Sequence, residues 1–310
     1  MMDITTARAI SMLTLGLGAF FAGMLPACFS DSARQRHPLL LSCLLCFGGG
    51  VLLSTSLVHM LPETREHLPE YTELTLCIGF FLVYLVDELS HLFYTGGDHR
   101  HSHVGEQTRL LPRGHDGEMR EREGSDLCHV SHTEPCPSSS SSIVGLLSAL
   151  FVHSVLEGLA IGLQDSPTQI LLLLAAVSSH KFVVGFCLGA ELCENFPGRA
   201  CAHIVCVTLF SAGSVLGIGI GAGLETVDSL KNSVAIPVMQ GLAAGTLLYV
   251  TVSEVLPRER ARWHKRQRSA GILQFLAVVV GFILMYLTTK YLGKAMLYLF
   301  LLFAYYFFEY

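Results

Sequence analysis

The chain has 310 residues, 51% of them hydrophobic and 15% charged, with a mean hydropathy of +0.52. Apolar runs of about 20 residues recur along most of it, more all-apolar helices than one soluble core can bury. A soluble enzyme, a disordered chain and a disulfide-stapled secreted domain are therefore excluded. The net charge of -5 argues against a nucleic-acid partner. What remains is an all-α integral membrane protein seated in the lipid bilayer.

Eight spans are predicted, at 7–29, 39–61, 74–95, 143–164, 168–190, 200–223, 233–255 and 271–289. The first lacks a basic leader and a convincing cleavage site, and reads as a retained helix. The apolar run 295–308 is short for a span and rich in Tyr and Phe, and reads as an interfacial segment. The organisation is a 3+5 bundle: helices 1–3 in residues 1–95, a loop at 96–142, helices 4–8 in 143–290 and an apolar extension at 291–310.

Fourteen of the 20 Lys and Arg fall at 30–38, 96–142, 191–199 and 256–270. The positive-inside rule makes that side cytoplasmic and places both termini outside. None of the ten cysteines falls in the predicted outer loops after helices 2, 4 and 6, so no exofacial disulfide framework is expected. Cys43 and Cys46 read as small packing hydrophobes.

The loop 96–142 is polar, ends in a serine run and is expected to be mobile. Its His99, His101, His103, His115, His129 and His132, with Cys128 and Cys136, suit weak chelation of a borderline-soft divalent metal and a regulatory role. Glu106, Leu110 and Leu111 match the spacing that sorting adaptors read.

Ionisable side chains deep in a span are expensive and default to function. In the fourth helix His153 and Glu157 stand one turn apart on one face. The fifth runs back and carries His180 and Lys181 at a similar depth. Imidazole and carboxylate both bind divalent metals, and the same pair also suits a proton relay. Lys181 needs a partner at midplane, and Glu157 is the natural one. His59 and Glu63, at the outer end of the second helix, suit an entry site. Asp87, Glu88 and His91, at the inner end of the third, suit an exit path. Gln240 is placed to hydrogen-bond inside the bundle.

The segment from His153 to Gln164, HSVLEGLAIGLQ, resembles the helix 4 signature of ZIP-family metal transporters, the zinc- and iron-regulated-transporter-like proteins. The segment from Gln240 to Pro257, QGLAAGTLLYVTVSEVLP, resembles their helix 7. The pair Ser154 and Lys181 looks like the plasma-membrane branch of animal zinc importers. The resemblance implies Zn2+ uptake into the cytosol, with His153, Glu157 and His180 as ligands and zinc as substrate rather than a permanent cofactor. Cd2+ and Fe2+ are the other candidate substrates, and a homodimer is one candidate assembly. Many members hold two metals. Here Ser154, Lys181 and Val184 stand where those members carry Asn, Glu and Glu, so Ser154 and Lys181 are expected to modulate a single-ion site. The rival readings are an intramembrane zinc hydrolase and a metal-sensing scaffold built on the His-rich loop.

Overall fold

The computed structural model describes residues 3–28, 38–95, 140–196, 198–224, 234–264 and 268–292. The loop histidines, the dileucine spacing and the run 295–308 lie outside the described residues.

Eight helical segments cross the fold. They are α1 (Ile4–Met24), α2 (Pro38–His67), α3 (Thr72–Thr95), α4 (Ser140–Gly162), α5 (Pro167–Asn195), α6 (Ala200–Leu224), α7 (residues 235–264) and α8 (Arg268–Leu287). No strand occurs among the described residues. Seven of the helices are long and apolar enough to cross a bilayer by composition. The eighth, α3, has 24 residues, about 36 Å at helical rise, and presents Phe81, Leu85 and Leu92 outward. Leu13, Leu17 and Phe21 of α1, and Ile272, Phe275 and Val280 of α8, do the same. Such faces suit lipid.

Local chemistry sets several ends. The Asp3 carboxylate accepts the Ile4 amide at 2.9 Å, capping α1. The Thr5 hydroxyl and that amide hold its pKa below the usual carboxylate value. Arg8 is buried in α1 and donates to the Gln164 carbonyl just past α4, at 3.1 Å, a favourable end for a cation. Pro167 begins α5, where a missing amide proton costs nothing. Gly198, at φ +74°, turns the chain between α5 and α6.

The helices pack as two units. α4 lies along α6, with α1 against α5 and α6; α2 lies along α8, and α3 along α7. Close approach is written into the sequence. A Cβ on Gly158 would strike the Ser214 carbonyl of α6, and one on Gly245 the Leu76 carbonyl of α3. Gly158 and Gly162 of α4 thus serve its contact with α6. The units meet where α4 packs on α7 and on α3, and α5 on α2.

Both α2 and α7 contain a π-helical turn, at Thr55–Met60 and Val250–Val255. α7 continues as Leu256–His264, beyond the boundary predicted at 255. Its last turns carry Arg258 and Arg262, assigned above to a loop. None of the eight described cysteines is in a disulfide, and Cys46 packs in the interior.

Candidate metal transport site

α4 and α5 present His153, Glu157, His180 and Lys181 to one another, all almost fully buried. The ligand atoms of His153, Glu157 and His180 lie within 4.8 Å of one another. Glu157 Oε1 is 2.6 Å from His180 Nε2 and 3.7 Å from His153 Nε2. Donors about 2.1 Å from a tetrahedral Zn2+ stand roughly 3.4 Å apart, so the set needs only a small closure to share an ion.

The two histidines differ. A carboxylate only accepts, so His180 Nε2–H donates to Glu157, and His180 Nδ1 finds no hydrogen-bond partner. His153 is held from its other side. Its Nδ1 lies 3.0 Å from the Ala243 carbonyl and 3.0 Å from the Thr246 hydroxyl, both on α7. Its Nε2 is buried, faces the Glu157 carboxylate and has no hydrogen-bond partner. An unpartnered buried polar atom is costly unless something fills its place.

Lys181 Nζ donates to Ser154 Oγ at 2.7 Å and to Glu157 Oε2 at 3.3 Å, and lies 4.8 Å from the Phe210 ring centroid. The charge of Glu157 is thereby balanced within the protein, as a buried carboxylate requires. One carboxylate oxygen belongs to the lysine and the other to the histidines.

A recess runs from this cluster toward His59 and Glu63 of α2. His59, Glu63, Gln240, Glu157 and His180 line it. Glu63 accepts from Gln240 Nε2 at 3.1 Å and lies 4.0 Å from His59. Toward the predicted cytoplasmic side the packing changes. Leu52, Leu150, Val184, Leu188 and Val250 are buried together. These five side chains also line a second recess, and Cys187, Glu191, Arg258 and Glu259 share its wall.

Of the residues singled out in the sequence, the structure joins His153, Glu157, His180, Ser154 and Lys181, and sets His59 and Glu63 on the adjoining recess. Asp87 and Glu88 line neither recess. Asp87 accepts the Tyr249 hydroxyl at 2.9 Å, and Glu88 is exposed on α3. The side chain of His91, and His99, His101, His103, His129 and His132, lie outside the description.

Sequence reasoning missed Ala243 and Thr246, since a backbone carbonyl and a small alcohol carry no metal signature. It also missed an ion-pair network at the inner ends of α5 and α7. Arg258 bonds Glu191 at 2.9 Å and also Glu254. Arg262 bonds Glu191 at 2.8 Å, Glu259 at 2.6 Å and also Glu194. The signal was the mixed-charge run after Pro257, which continues a helix.

A family model for ZIP zinc transporters matches residues 5–289. The chain belongs to the ZIP zinc transporter family. Its relatives include zinc transporter ZIP1 of Mus musculus, 30% identical over 294 residues that cover 89% of this chain and 88% of the mouse protein. ZIP1 of Homo sapiens is 32% identical over 267 residues, 82% of this chain and 79% of that protein. Human zinc transporter ZIP3 is 31% identical over 315 residues, 91% and 96% of the two chains. ZIP proteins are transporters and not enzymes, which removes the hydrolase reading.

Proposed function

We propose that the protein carries Zn2+ into the cytosol through His153, Glu157 and His180. The observation that carries this reading is the bare, buried Nε2 of His153, aimed at a carboxylate that His180 also touches. Zn2+ enters the outer recess past His59 and Glu63 and exchanges most of its water for two imidazoles and one carboxylate oxygen. Water completes a roughly tetrahedral shell. At His180 the ion takes the place of the Nε2 proton, which leaves or moves to Nδ1. Lys181, held by Ser154, keeps the second carboxylate oxygen and its neighbourhood closed to a further cation. A site already neutralised from within binds an ion less tightly, which helps release.

Release to the cytosol requires the apolar layer beyond His153 and His180 to part. Mixed imidazole and carboxylate ligation favours Zn2+ over hard ions, with Cd2+ and Fe2+ as further substrates. We place the protein in the plasma membrane with residues 96–142 cytoplasmic, where the His-rich stretch modulates transport without forming the path.

The test is radiolabelled zinc uptake into cells expressing the wild type, His153→Ala, Glu157→Ala or His180→Ala at matched surface expression. Loss of uptake to the level of untransfected cells is expected for each. Wild-type uptake by any two of them would overturn the ligand assignment.

A further inference from the structure

The α7 turn that carries Ala243 and Thr246 touches the site from the opposite helical unit. The Thr246 hydroxyl donates its one proton to the Ala243 carbonyl at 2.7 Å, so it offers His153 Nδ1 only lone pairs. Two acceptors, each 3.0 Å from Nδ1, require the imidazole proton to sit there. The tautomer that results leaves Nε2 bare. We propose that Thr246 is a positioning residue for transport: with the Ala243 carbonyl it fixes the tautomer and ring angle that point His153 Nε2 at the incoming ion. Outer hydrogen bonds of this kind orient ligating histidines and raise their basicity. Thr246 is fully buried, and a valine fits its volume without the oxygen.

The inference rests on His153 being a ligand, and the experiment separates the two. Zinc uptake kinetics are compared for wild type, Thr246→Val, Thr246→Ser and His153→Ala at matched surface expression. Thr246→Val is expected to raise KM by about tenfold with Vmax little changed, and Thr246→Ser to restore KM. A wild-type KM in Thr246→Val beside an inactive His153→Ala would overturn the positioning role alone. A fall in Vmax that serine does not repair would assign Thr246 to packing and overturn it as well. Normal uptake by His153→Ala would remove the ligand and the positioning role together.

A separate observation concerns the inner recess. Glu191 and Glu194 of α5 face Arg258 and Arg262 of α7 across the junction of the two units. Glu191 is nearly buried and accepts from both arginines. On the same wall, Glu259 is tied to Ser42 of α2, which accepts from Gln274 of α8 at 2.8 Å. Although the three carboxylates of Glu191, Glu194 and Glu259 stand close enough for a cation, two guanidinium groups already fill their coordination. We infer that these pairs latch the inner ends of α5 and α7 together and keep the inner recess shut to the cytosol.

Cys187 lines that recess and is buried, so it reports opening. Its labelling by a membrane-impermeant maleimide is followed in inside-out vesicles, with Cys187→Ser identifying the signal. Glu191→Gln and Arg258→Gln are each expected to speed labelling severalfold, and the double variant no further than either alone. Unchanged labelling in both single variants would overturn the latch.

Discussion

The two recesses beside the candidate site differ in what lines them. Outside the midplane cluster, His59, Glu63 and Gln240 line a recess that reaches Glu157 and His180. On its other side, buried Leu52, Leu150, Val184 and Val250 share the wall of a second recess with Glu191, which is ion-paired to Arg258 and Arg262. Imidazole, carboxylate and amide groups spaced along an otherwise apolar recess let a cation shed water stepwise. An apolar layer offers no replacement ligands, so crossing it would cost most of the ion's hydration. The lesson is that the candidate ligand cluster lies against a recess lined by His59, Glu63 and Gln240, a setting unlike that of the second, more apolar recess.

The cluster itself is the most sensitive place to break this contrast. Lys181→Met leaves Glu157 as a buried carboxylate without its cation, a loss of about 3–5 kcal/mol when one partner of a buried pair is removed. The expected outcome is a lower thermal midpoint in detergent, partly restored by added Zn2+, with a lower KM and a lower Vmax for uptake. An unchanged midpoint would show that the pair does not carry that load.

Protons sharpen the contrast next. A ligating imidazole must be neutral, so lowering the external pH from about 7.5 to about 5.5 should reduce uptake severalfold as H+ competes with Zn2+. In the proposed orientation the recess at His59 and Glu63 faces outward, so the same change on the cytosolic side alone should do much less. Equal sensitivity from both sides would contradict the asymmetry.

Glu63 sits further out and is partly exposed. Glu63→Gln is expected to raise KM about threefold with Vmax preserved, the scale of a lost, partly screened attraction. The smallest effect is expected from deleting residues 98–135, which should leave the zinc uptake rate per surface molecule close to wild type. Abolished uptake would move the His-rich loop into the path and favour the sensing-scaffold reading.

Much of this architecture was legible in the linear chain. Long apolar runs declare bilayer helices because lipid leaves an unpaired backbone group no partner. A His153–Glu157 pair four residues apart must share a helix face, and His180 returns to a similar depth because the chain reverses just before Pro167. Less legible was the end of α7. The span was predicted to end at 255, yet the helix runs on past the π-helical turn to carry Arg258 and Arg262.

Residue chemistry and helical periodicity alone thus determined the membrane class, the eight crossings and which polar side chains lie deep in them. Tertiary packing alone decided which histidine is left bare and which is paired. It also decided that a carbonyl and a hydroxyl about 90 residues away hold His153, and that two arginines meet Glu191. The reason is that periodicity reports the face of one helix, whereas a hydrogen bond between helices depends on their relative height and rotation, which only close packing sets.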